Sequence, residues 1–156
     1  MSETIKVDVG NEDLFKPPEF PTITPGIHAF AVASIGDWEP SKTDGSTNLV
    51  LQVDLRCQDD EVEENNGLAC FENFVLVTEV TDQKSATTKK MNEQRMAQFC
   101  LSCGVTTQQQ ILETGELPIK ACEGQFLKAQ TGIKINEYQG EKTPKTYVKK
   151  YLFESE

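Results

Sequence analysis

The most constraining feature of the chain is an alternation of apolar and polar side chains over residues 47–57. Five apolar residues stand at every second position and three polar residues stand between them: Leu49, Leu51, Val53, Leu55 and Cys57 against Gln52, Asp54 and Arg56. A period of two puts successive side chains on opposite faces of a β-strand. A strand with one apolar face needs neighbours that bury this face. The pattern therefore predicts a protein built around a β-sheet.

Four further segments have strand composition. Pro25 and Gly26 mark a turn before residues 26–35, and alternate residues of this strand should share one face, namely Ile27, Ala29, Ala31, Ala33 and Ile35. The acidic run 59–67 is expected to form the hairpin loop that leads into a strand within residues 68–80. Strand composition returns in residues 124–138 and 146–154, which a turn at residues 139–145 separates. Three antiparallel strands and a later hairpin are predicted.

A helical period separates these two groups of strands. Met96, Phe99, Cys100 and Cys103 are spaced at i, i+3, i+4 and i+7, and Gly104 follows as a stop signal. This spacing predicts an amphipathic helix over residues 88–103. A second short helix is expected over residues 106–114, with Thr106 or Thr107 as its N-cap and Gly115 at its end.

The order of three strands, a helix and two strands predicts a mainly β fold, a five-stranded OB-fold-like barrel with an α-helical insertion between strands 3 and 4. Another small β-barrel or sandwich with a helical insert would give the same order. Residues 1–25 contain four prolines and are expected to form an extended N-terminal arm, which Phe15, Phe20 and Ile23 could pin to the barrel. Residues 26–156 would then be the OB-fold domain.

Charge is distributed unevenly along the chain. The net charge is −10, which opposes binding to phosphate groups. Residues 1–83 hold 4 basic and 17 acidic side chains, whereas residues 84–156 hold 11 basic and 8 acidic ones. This polarity is compatible with a nucleic-acid site in the second half. A solvated acidic loop beside a neutral half would give the same distribution.

Binding to single-stranded nucleic acid needs basic side chains for phosphates and exposed aromatic rings for base stacking. The C-terminal hairpin offers both, in Lys134, Tyr138, Lys142, Lys145, Tyr147 and Lys149. Trp38, in the loop between strands 1 and 2, and Arg56 and Phe74, on strands 2 and 3, complete the predicted interface, and Phe71 is a further candidate. Each aromatic could instead belong to the core, and the lysines could protect an edge hairpin from aggregation.

Motifs for catalysis and metal binding are sparse. His28 is the only histidine, and the sequence has no nucleophile elbow, phosphate-binding glycine loop or zinc-protease helix. Cys100 and Cys103 form a C-x-x-C motif that could complete a tetrahedral zinc site with Cys57, Cys70 or Cys122. Both cysteines continue the apolar stripe of the predicted helix, so buried packing is the expected role. We therefore expect no enzyme activity, no metal and no cofactor. An enzyme with a thiolate at Cys100 or Cys103 is the remaining alternative.

Several segments resemble a family of short phage proteins that are associated with single-stranded DNA binding near replication and recombination functions. The resemblance covers residues 14–153 and rests on these segments: PGIHAF at 25–30, VDLR at 53–56, FENFVL at 71–76, RMAQFCL at 95–101 with CGV at 103–105, EGQFLK at 123–128 and YQG at 138–140. It implies an OB-fold that coats single-stranded DNA without a cofactor. The chain departs from many replicative single-strand binders, because it ends after its last predicted strand without a long acidic tail that recruits partners.

The leading hypothesis is therefore sequence-tolerant binding of single-stranded DNA in phage replication or recombination, with replication or recombination proteins as further partners. The alternative is an acidic β-barrel adaptor for a protein partner such as a nuclease, recombinase or host factor. No apolar run is long enough to span a membrane, and no signal peptide is evident, so we expect the cytoplasm, or the host cytoplasm for a phage protein. The odd number of five cysteines indicates reduced thiols. Strand edges could support a homo-oligomer.

Overall fold

The computed structural model describes residues 4–6, 10, 21–43, 45–59, 61–138 and 140–154. Within this part the chain forms six β-strands, two α-helices and two short 3₁₀ helices. In chain order the strands and α-helices are β1 (Gly26–Ile35), β2 (Glu39–Pro40), β3 (Leu49–Cys57), β4 (Ala69–Leu76), α1 (Gln83–Cys103), α2 (Gln108–Thr114), β5 (Phe126–Tyr138) and β6 (Glu141–Leu152). The 3₁₀ helices are Glu63–Asn65, in the acidic loop, and Ile119–Cys122, before β5.

The strands form one antiparallel sheet with β1 at its centre. β1 pairs with β3 on one side and with β5 on the other, β4 and β2 pair with β3, and β6 pairs with β5. The sheet thus ends in β4 and β6, and no ladder joins these two strands within the described residues. They still touch, because the Cys70 thiol donates to the Thr146 carbonyl oxygen at 3.9 Å. The predicted mainly β class is confirmed, but the sheet is open instead of forming a closed hydrogen-bonded barrel.

The buried face of β3 follows the predicted alternation. Its four inward residues have no exposed surface: Leu51, Val53, Leu55 and Cys57. Gln52 and Arg56 between them are exposed. On β4, Cys70 and Phe74 pair with Leu55 and Leu51 and are buried on the same side. The pattern of β3 thus correctly indicates which side of the sheet carries the core.

The predicted common face of β1 is wrong. Ile27 is 60% exposed, whereas Phe30 and Val32 are buried. A bulge between Val32 and Ser34 shifts the register against β3, and after it Ile35 points into the core. One extra residue in a strand moves every later side chain to the other face. This shift explains why Ile27 and Ile35 do not share an environment.

Helix α1 begins five residues before its predicted start. A capping box explains the early start, because Asp82 accepts a hydrogen bond from the Ser85 N–H at 2.7 Å and the Ser85 hydroxyl accepts one from the Asp82 N–H at 3.1 Å. The first turns carry no buried residue, so the apolar period could not show them. The helix ends at Gly104 as predicted, where the backbone adopts the left-handed conformation with φ 75°.

Helix α2 matches its prediction more closely. The Thr107 hydroxyl accepts a hydrogen bond from the Gln110 N–H at 3.2 Å, and the helix ends at Gly115 with φ 66°. This helix was predicted from two signals, an N-cap that binds a free N–H group and a glycine that ends the last turn.

The apolar stripe of α1 packs across the gap between β4 and β6. The four predicted stripe residues are buried: Met96, Phe99, Cys100 and Cys103. The Phe99 ring lies 5.2 Å from the ring of Phe74 on β4 and 5.4 Å from the ring of Tyr151 on β6. Since aromatic pairs at these distances attract each other beyond simple burial, this cluster links the helix to both ends of the sheet.

The β5–β6 hairpin extends beyond the rest of the sheet. β1 pairs with β5 only from Gly26 to Ala31, opposite Thr131 to Phe126, whereas β6 pairs with β5 as far as Tyr138. Beyond Thr131 the hairpin is a two-stranded ribbon, on which even Ile133 and Ile135 are 40% and 62% exposed. Most of the described side chains of the ribbon are therefore exposed to solvent, while its backbone stays paired.

Ile23, which precedes β1, is attached to β6. Ile23 is fully buried, and its N–H donates to the Thr146 hydroxyl at 2.8 Å. Phe15 and Phe20, the other residues expected to pin the arm, lie outside the described residues. Among the helices that the structure describes, none has the length and apolar character needed to cross a membrane.

Candidate nucleic-acid interface

A groove follows the gap between β4 and β6, and we refer to it as the β4–β6 groove. It consists of two adjoining cavities of about 540 and 560 Å³, which share Phe71, Lys145 and Thr146 in their walls. The charged and aromatic residues that line the groove are Arg56, Phe71, Glu72, Arg95, Lys134, Glu141, Lys145, Tyr147 and Lys149. Basic side chains outnumber acidic ones here, although the whole chain is acidic.

The β5–β6 ladder sets the spacing of the lysines. Lys134 pairs directly with Lys145, so both side chains stand on the same face of the ribbon. The Lys134 ammonium also lies 5.5 Å from the centre of the Tyr147 ring, within the range of a cation–π contact. Like charges directly opposite each other destabilise a ladder. A bound anion would relieve this repulsion.

Gly132 lies beside the Tyr147 ring. The two residues pair across the ladder, and a Cβ atom on residue 132 would come within 3.1 Å of the Tyr147 ring and 2.6 Å of the Lys149 Cε. A side chain at residue 132 would therefore require the Tyr147 ring and the end of the Lys149 side chain to shift. The Tyr147 ring is partly exposed in the groove.

An ion pair forms the floor of the groove. The Arg95 guanidinium contacts the Glu72 carboxylate, and their side chains are 35% and 10% exposed. Burial raises the pKa of Glu72, and the hydrogen bond from Arg95 and the charges of Lys134 and Lys145 offset part of this increase. The buried Tyr151 hydroxyl has no hydrogen-bond partner among the described residues, and the Arg95 Cζ lies 5.8 Å from its ring centre. The floor therefore combines a partly exposed cation with a desolvated carboxylate.

Arg56 lies at the other end of the groove. Its Nε and Nη2 donate to the two carboxylate oxygens of Asp54, both at 2.9 Å. The hydrogen bond and the charge of Asp54 raise the pKa of Arg56. A guanidinium has five N–H donors, so three remain for another acceptor. The 44% exposure of this side chain leaves these donors accessible.

Five of the nine residues predicted from sequence line this groove together: Arg56, Lys134, Lys145, Tyr147 and Lys149. They come from β3, β5 and β6, which are far apart in the chain. Their contact with nucleic acid stays a prediction. The structure does show that one continuous surface holds them.

The assignment of Phe74 to the interface is wrong. Its side chain has no exposed surface, and its ring packs against Phe99 and Tyr151, so it cannot stack on a base at the surface. Phe71 in the same strand is 41% exposed and lines the groove. The two residues are an odd number of positions apart, which puts them on opposite faces of β4.

Lys142 and Trp38 do not join the groove either. Lys142 pairs with Glu137, and its odd spacing from Lys145 puts it on the opposite face of the ribbon. Trp38 is partly buried against the core and lines a separate groove with residues of α1 and α2. Tyr138 belongs to β5, but its side chain lies outside the described part of the structure.

Arg95 and Glu72 are the groove residues that sequence reasoning missed. Arg95 precedes the buried Met96 in α1, and nothing in the helical period distinguishes it from any other polar position. It reaches the groove only because α1 lies across the gap between β4 and β6. Glu72 stands between the two phenylalanines of β4, and burial of its side chain depends on the contact between the sheet ends. A sequence signal for either residue is absent.

All five cysteines are buried and carry free thiols. The Cys122 thiol lies 3.9 Å from the Cys100 sulfur, and Cys103 is buried in the same helix, as the stripe predicted. Burial raises the pKa of Cys70 to about 12. Contact with Cys122, together with burial, also raises the pKa of Cys100. Such thiols are protonated at neutral pH and are weak nucleophiles.

One group of three side chains with metal-binding donors occurs in the described part of the chain. The donor atoms of His28, Cys57 and Asp59 lie within 4.8 Å of one another. The group lies where β1 begins and β3 ends, and none of its members lines the β4–β6 groove.

No family model matches the chain, and no curated protein matches its sequence.

Proposed function

We propose that the protein binds single-stranded DNA without sequence preference, through an OB-type fold whose ligand lies in the β4–β6 groove. The strand order supports the fold assignment. β1, β3, β4, β5 and β6 pair in the order of the five OB strands, β2 is a short extension, and the helices lie between the third and fourth of these strands. An OB-fold is a partly open barrel, so a contact without a ladder between β4 and β6 is compatible with it.

The observation that carries the proposal is the joint presence of cations and aromatic rings in one groove. Lys134, Lys145 and Lys149 offer ammonium groups to phosphates, while Phe71 and Tyr147 offer partly exposed rings. Stacking of a base on an aromatic side chain contributes about 1–3 kcal/mol, and lysine contacts add a salt-dependent term. Each interaction tolerates any base, so sequence-independent binding follows.

The shape of the groove favours a single strand over a duplex. The two rings lie within a concave surface between two strand edges, so a base must leave its stack to reach them. A duplex would pay the cost of unpairing before it gained these contacts. The acidic residues outside the groove repel phosphates, which confines the nucleic acid to the basic surface.

A biological role beside replication or recombination proteins follows from the family resemblance alone. In that setting the protein would protect or organise single-stranded DNA in the cytoplasm, which for a phage protein is that of the host. The 3₁₀ segment of the acidic loop carries Glu63 and Glu64, both exposed, and offers such partners an acidic surface.

The second candidate function is an adaptor that binds a protein partner. Two observations favour it: the exposed glutamates of the acidic loop, and the separate groove between Trp38 and the helices, which is about 630 Å³ in volume. In this case the lysines of the ribbon would only protect it from edge pairing.

The deciding experiment is fluorescence anisotropy of labelled oligo-dT titrated with the purified protein, at low and at physiological salt, with a duplex of equal length alongside. The proposal expects salt-sensitive binding that prefers the single strand. Lys145→Glu should weaken it, whereas Lys142→Glu, which changes the same charge on the opposite face, should weaken it much less. Absence of binding at low salt would reject the proposal in favour of the adaptor.

A further inference from the structure

His28, Cys57 and Asp59 are brought together by the register of β1 and β3. Phe30 pairs with Cys57, and the Gln58 N–H donates to the Ala29 carbonyl oxygen at 2.8 Å, so the pairing continues past the end of β3. One step further, His28 stands opposite Asp59, with its Nδ1 3.1 Å from the Asp59 Oδ2. The three side chains are at most 11% exposed. The pairing of β1 with β3 therefore brings an imidazole, a thiol and a carboxylate together where β1 begins and β3 ends.

The hydrogen bonds around His28 leave its Nδ1 facing a carboxylate oxygen, an arrangement that either a proton or a metal ion can satisfy. The His28 Nε2 lies 2.6 Å from the Thr24 carbonyl oxygen, which can only accept, so Nε2 carries a proton. In a neutral ring Nδ1 then has a lone pair, and it faces an oxygen of the Asp59 carboxylate, which is also an acceptor. Two facing acceptors at 3.1 Å repel each other unless a proton or a metal ion lies between them.

Asp59 is held in place by other bonds. Its Oδ1 accepts hydrogen bonds from the Glu61 and Val62 N–H groups, both at 3.0 Å, and its Oδ2 accepts one from the Asn65 side chain at 3.1 Å. Asn65 is itself buried and accepts a bond from the Thr24 N–H at 3.1 Å. Metal ligands are usually oriented by such outer hydrogen bonds, in which the second ring N–H of a histidine donates to a carbonyl or carboxylate oxygen. The environment of both His28 and Asp59 fits this pattern.

We propose that His28 Nδ1, Cys57 Sγ and Asp59 Oδ2 form a binding site for a divalent transition metal, with Zn²⁺ the preferred ion. A thiolate, an imidazole and a carboxylate together match the donors that zinc takes in proteins. Four donors at about 2.0–2.3 Å complete a tetrahedron, so water would occupy the fourth position. Binding replaces the thiol proton of Cys57 with the metal and releases that proton to solvent.

The acidic loop adds to the attraction for a cation. Glu61, Glu63 and Glu64 follow Asp59 closely in sequence and are exposed. A bound ion would link this loop to the start of β1, because Asp59 belongs to the loop and His28 belongs to β1. The expected consequence is a metal-dependent increase in melting temperature, and it does not depend on DNA binding.

The test is a titration of the reduced protein with Co²⁺, whose thiolate complexes absorb in the near ultraviolet. The wild type should show one equivalent of a thiolate-to-cobalt band, and Zn²⁺ should abolish it by displacement. Cys57→Ser should remove the band, and Asp59→Asn and His28→Gln should each weaken Co²⁺ binding at least about tenfold. Zn²⁺ should raise the melting temperature of the wild type but not of Asp59→Asn.

A matched control is Cys122→Ser, since Cys122 is equally buried but lies next to Cys100 instead of His28. This variant should keep the cobalt band. A cobalt band that survives in Cys57→Ser, or that disappears in Cys122→Ser, would overturn the proposed site. The absence of a cobalt band in the wild type would overturn it too. Circular dichroism of each variant shows whether it is folded. If Cys57→Ser does not fold, the loss of Co²⁺ binding in Asp59→Asn tests the site instead.

Discussion

Lys134 and Lys145 face each other directly across the β5–β6 ladder, on the face of the ribbon that borders the β4–β6 groove. Cross-strand pairs of like charge destabilise a sheet. Elsewhere on this ribbon a lysine faces an opposite charge, since Lys142 pairs with Glu137. Glu72 below them neutralises only part of the charge, because it is already paired with Arg95. This pair of like charges beside exposed rings supports the proposed anion-binding role of the groove.

The first prediction concerns stability. Lys145→Gln should increase the free energy of unfolding by up to about 1 kcal/mol at low salt, because it removes the repulsion from Lys134. The gain should shrink at high salt as screening weakens that repulsion. Urea unfolding at the two salt concentrations measures both effects. Lys142→Gln removes an attraction to Glu137 and should show no gain, so equal gains in the two variants would argue against the repulsion.

The second prediction concerns the salt dependence of DNA binding. If Lys145 contacts one phosphate of a single strand, Lys145→Ala should reduce the slope of log affinity against log salt by about 0.7. Lys142→Ala, on the opposite face of the ribbon, should leave the slope near that of the wild type. Anisotropy titrations over a salt series give both slopes. Equal reductions would place the DNA on both faces and contradict the groove.

The third prediction concerns stacking. Tyr147→Ala should weaken oligo-dT binding by about 1–3 kcal/mol, whereas Tyr147→Phe keeps the ring and should bind nearly as the wild type does. Phe126→Ala supplies the control, because Phe126 is 66% exposed but lies outside the groove. A loss in Phe126→Ala as large as that in Tyr147→Ala would indicate a different binding surface.

The fourth prediction uses Trp38 as a reporter. It is the only tryptophan of the chain, and its ring lines the separate groove beside α1 and α2. Saturation with oligo-dT should therefore leave its emission spectrum nearly unchanged, in contrast to the stacking that the sequence had suggested. Strong quenching that follows the anisotropy curve would return Trp38 to the interface.

How much could be predicted depended on whether a feature is local. The alternation of β3 and the caps of α2 are determined by neighbouring residues, and the structure confirms both. The bulge in β1 is different, because it arises where Ser34 pairs with Asp54, and no local pattern reports such a shift in register. An error of one position was enough to misplace the inward face of that strand.

The candidate site shows the same division. The lysines of the ribbon were found because their spacing with tyrosine is visible in one short segment. Arg95 and Glu72 meet only when α1 packs across the ends of the sheet, which is a tertiary contact. Phe71 and Phe74 are two aromatic residues separated by two polar ones, and their different exposures follow from which face of β4 meets the core.

The last prediction concerns the pH dependence that Glu72 gives to stability. Burial raises its pKa above the ordinary value of 4.5, so the folded state binds this proton more tightly than the unfolded state does. The stabilisation is fully present below pH 4.5 and is lost as the pH rises through the raised pKa. The difference in free energy of unfolding between the wild type and Glu72→Gln should therefore fall with increasing pH across that window.

Urea unfolding of both proteins at a series of pH values gives this difference. Glu72→Gln leaves Arg95 without its carboxylate, but an arginine stays protonated throughout, so the loss adds a constant and no slope. Glu93→Gln, at an exposed position of α1, controls for the removal of one negative charge. A difference that rises with pH would mean that the ion pair with Arg95 outweighs the effect of burial on the pKa of Glu72.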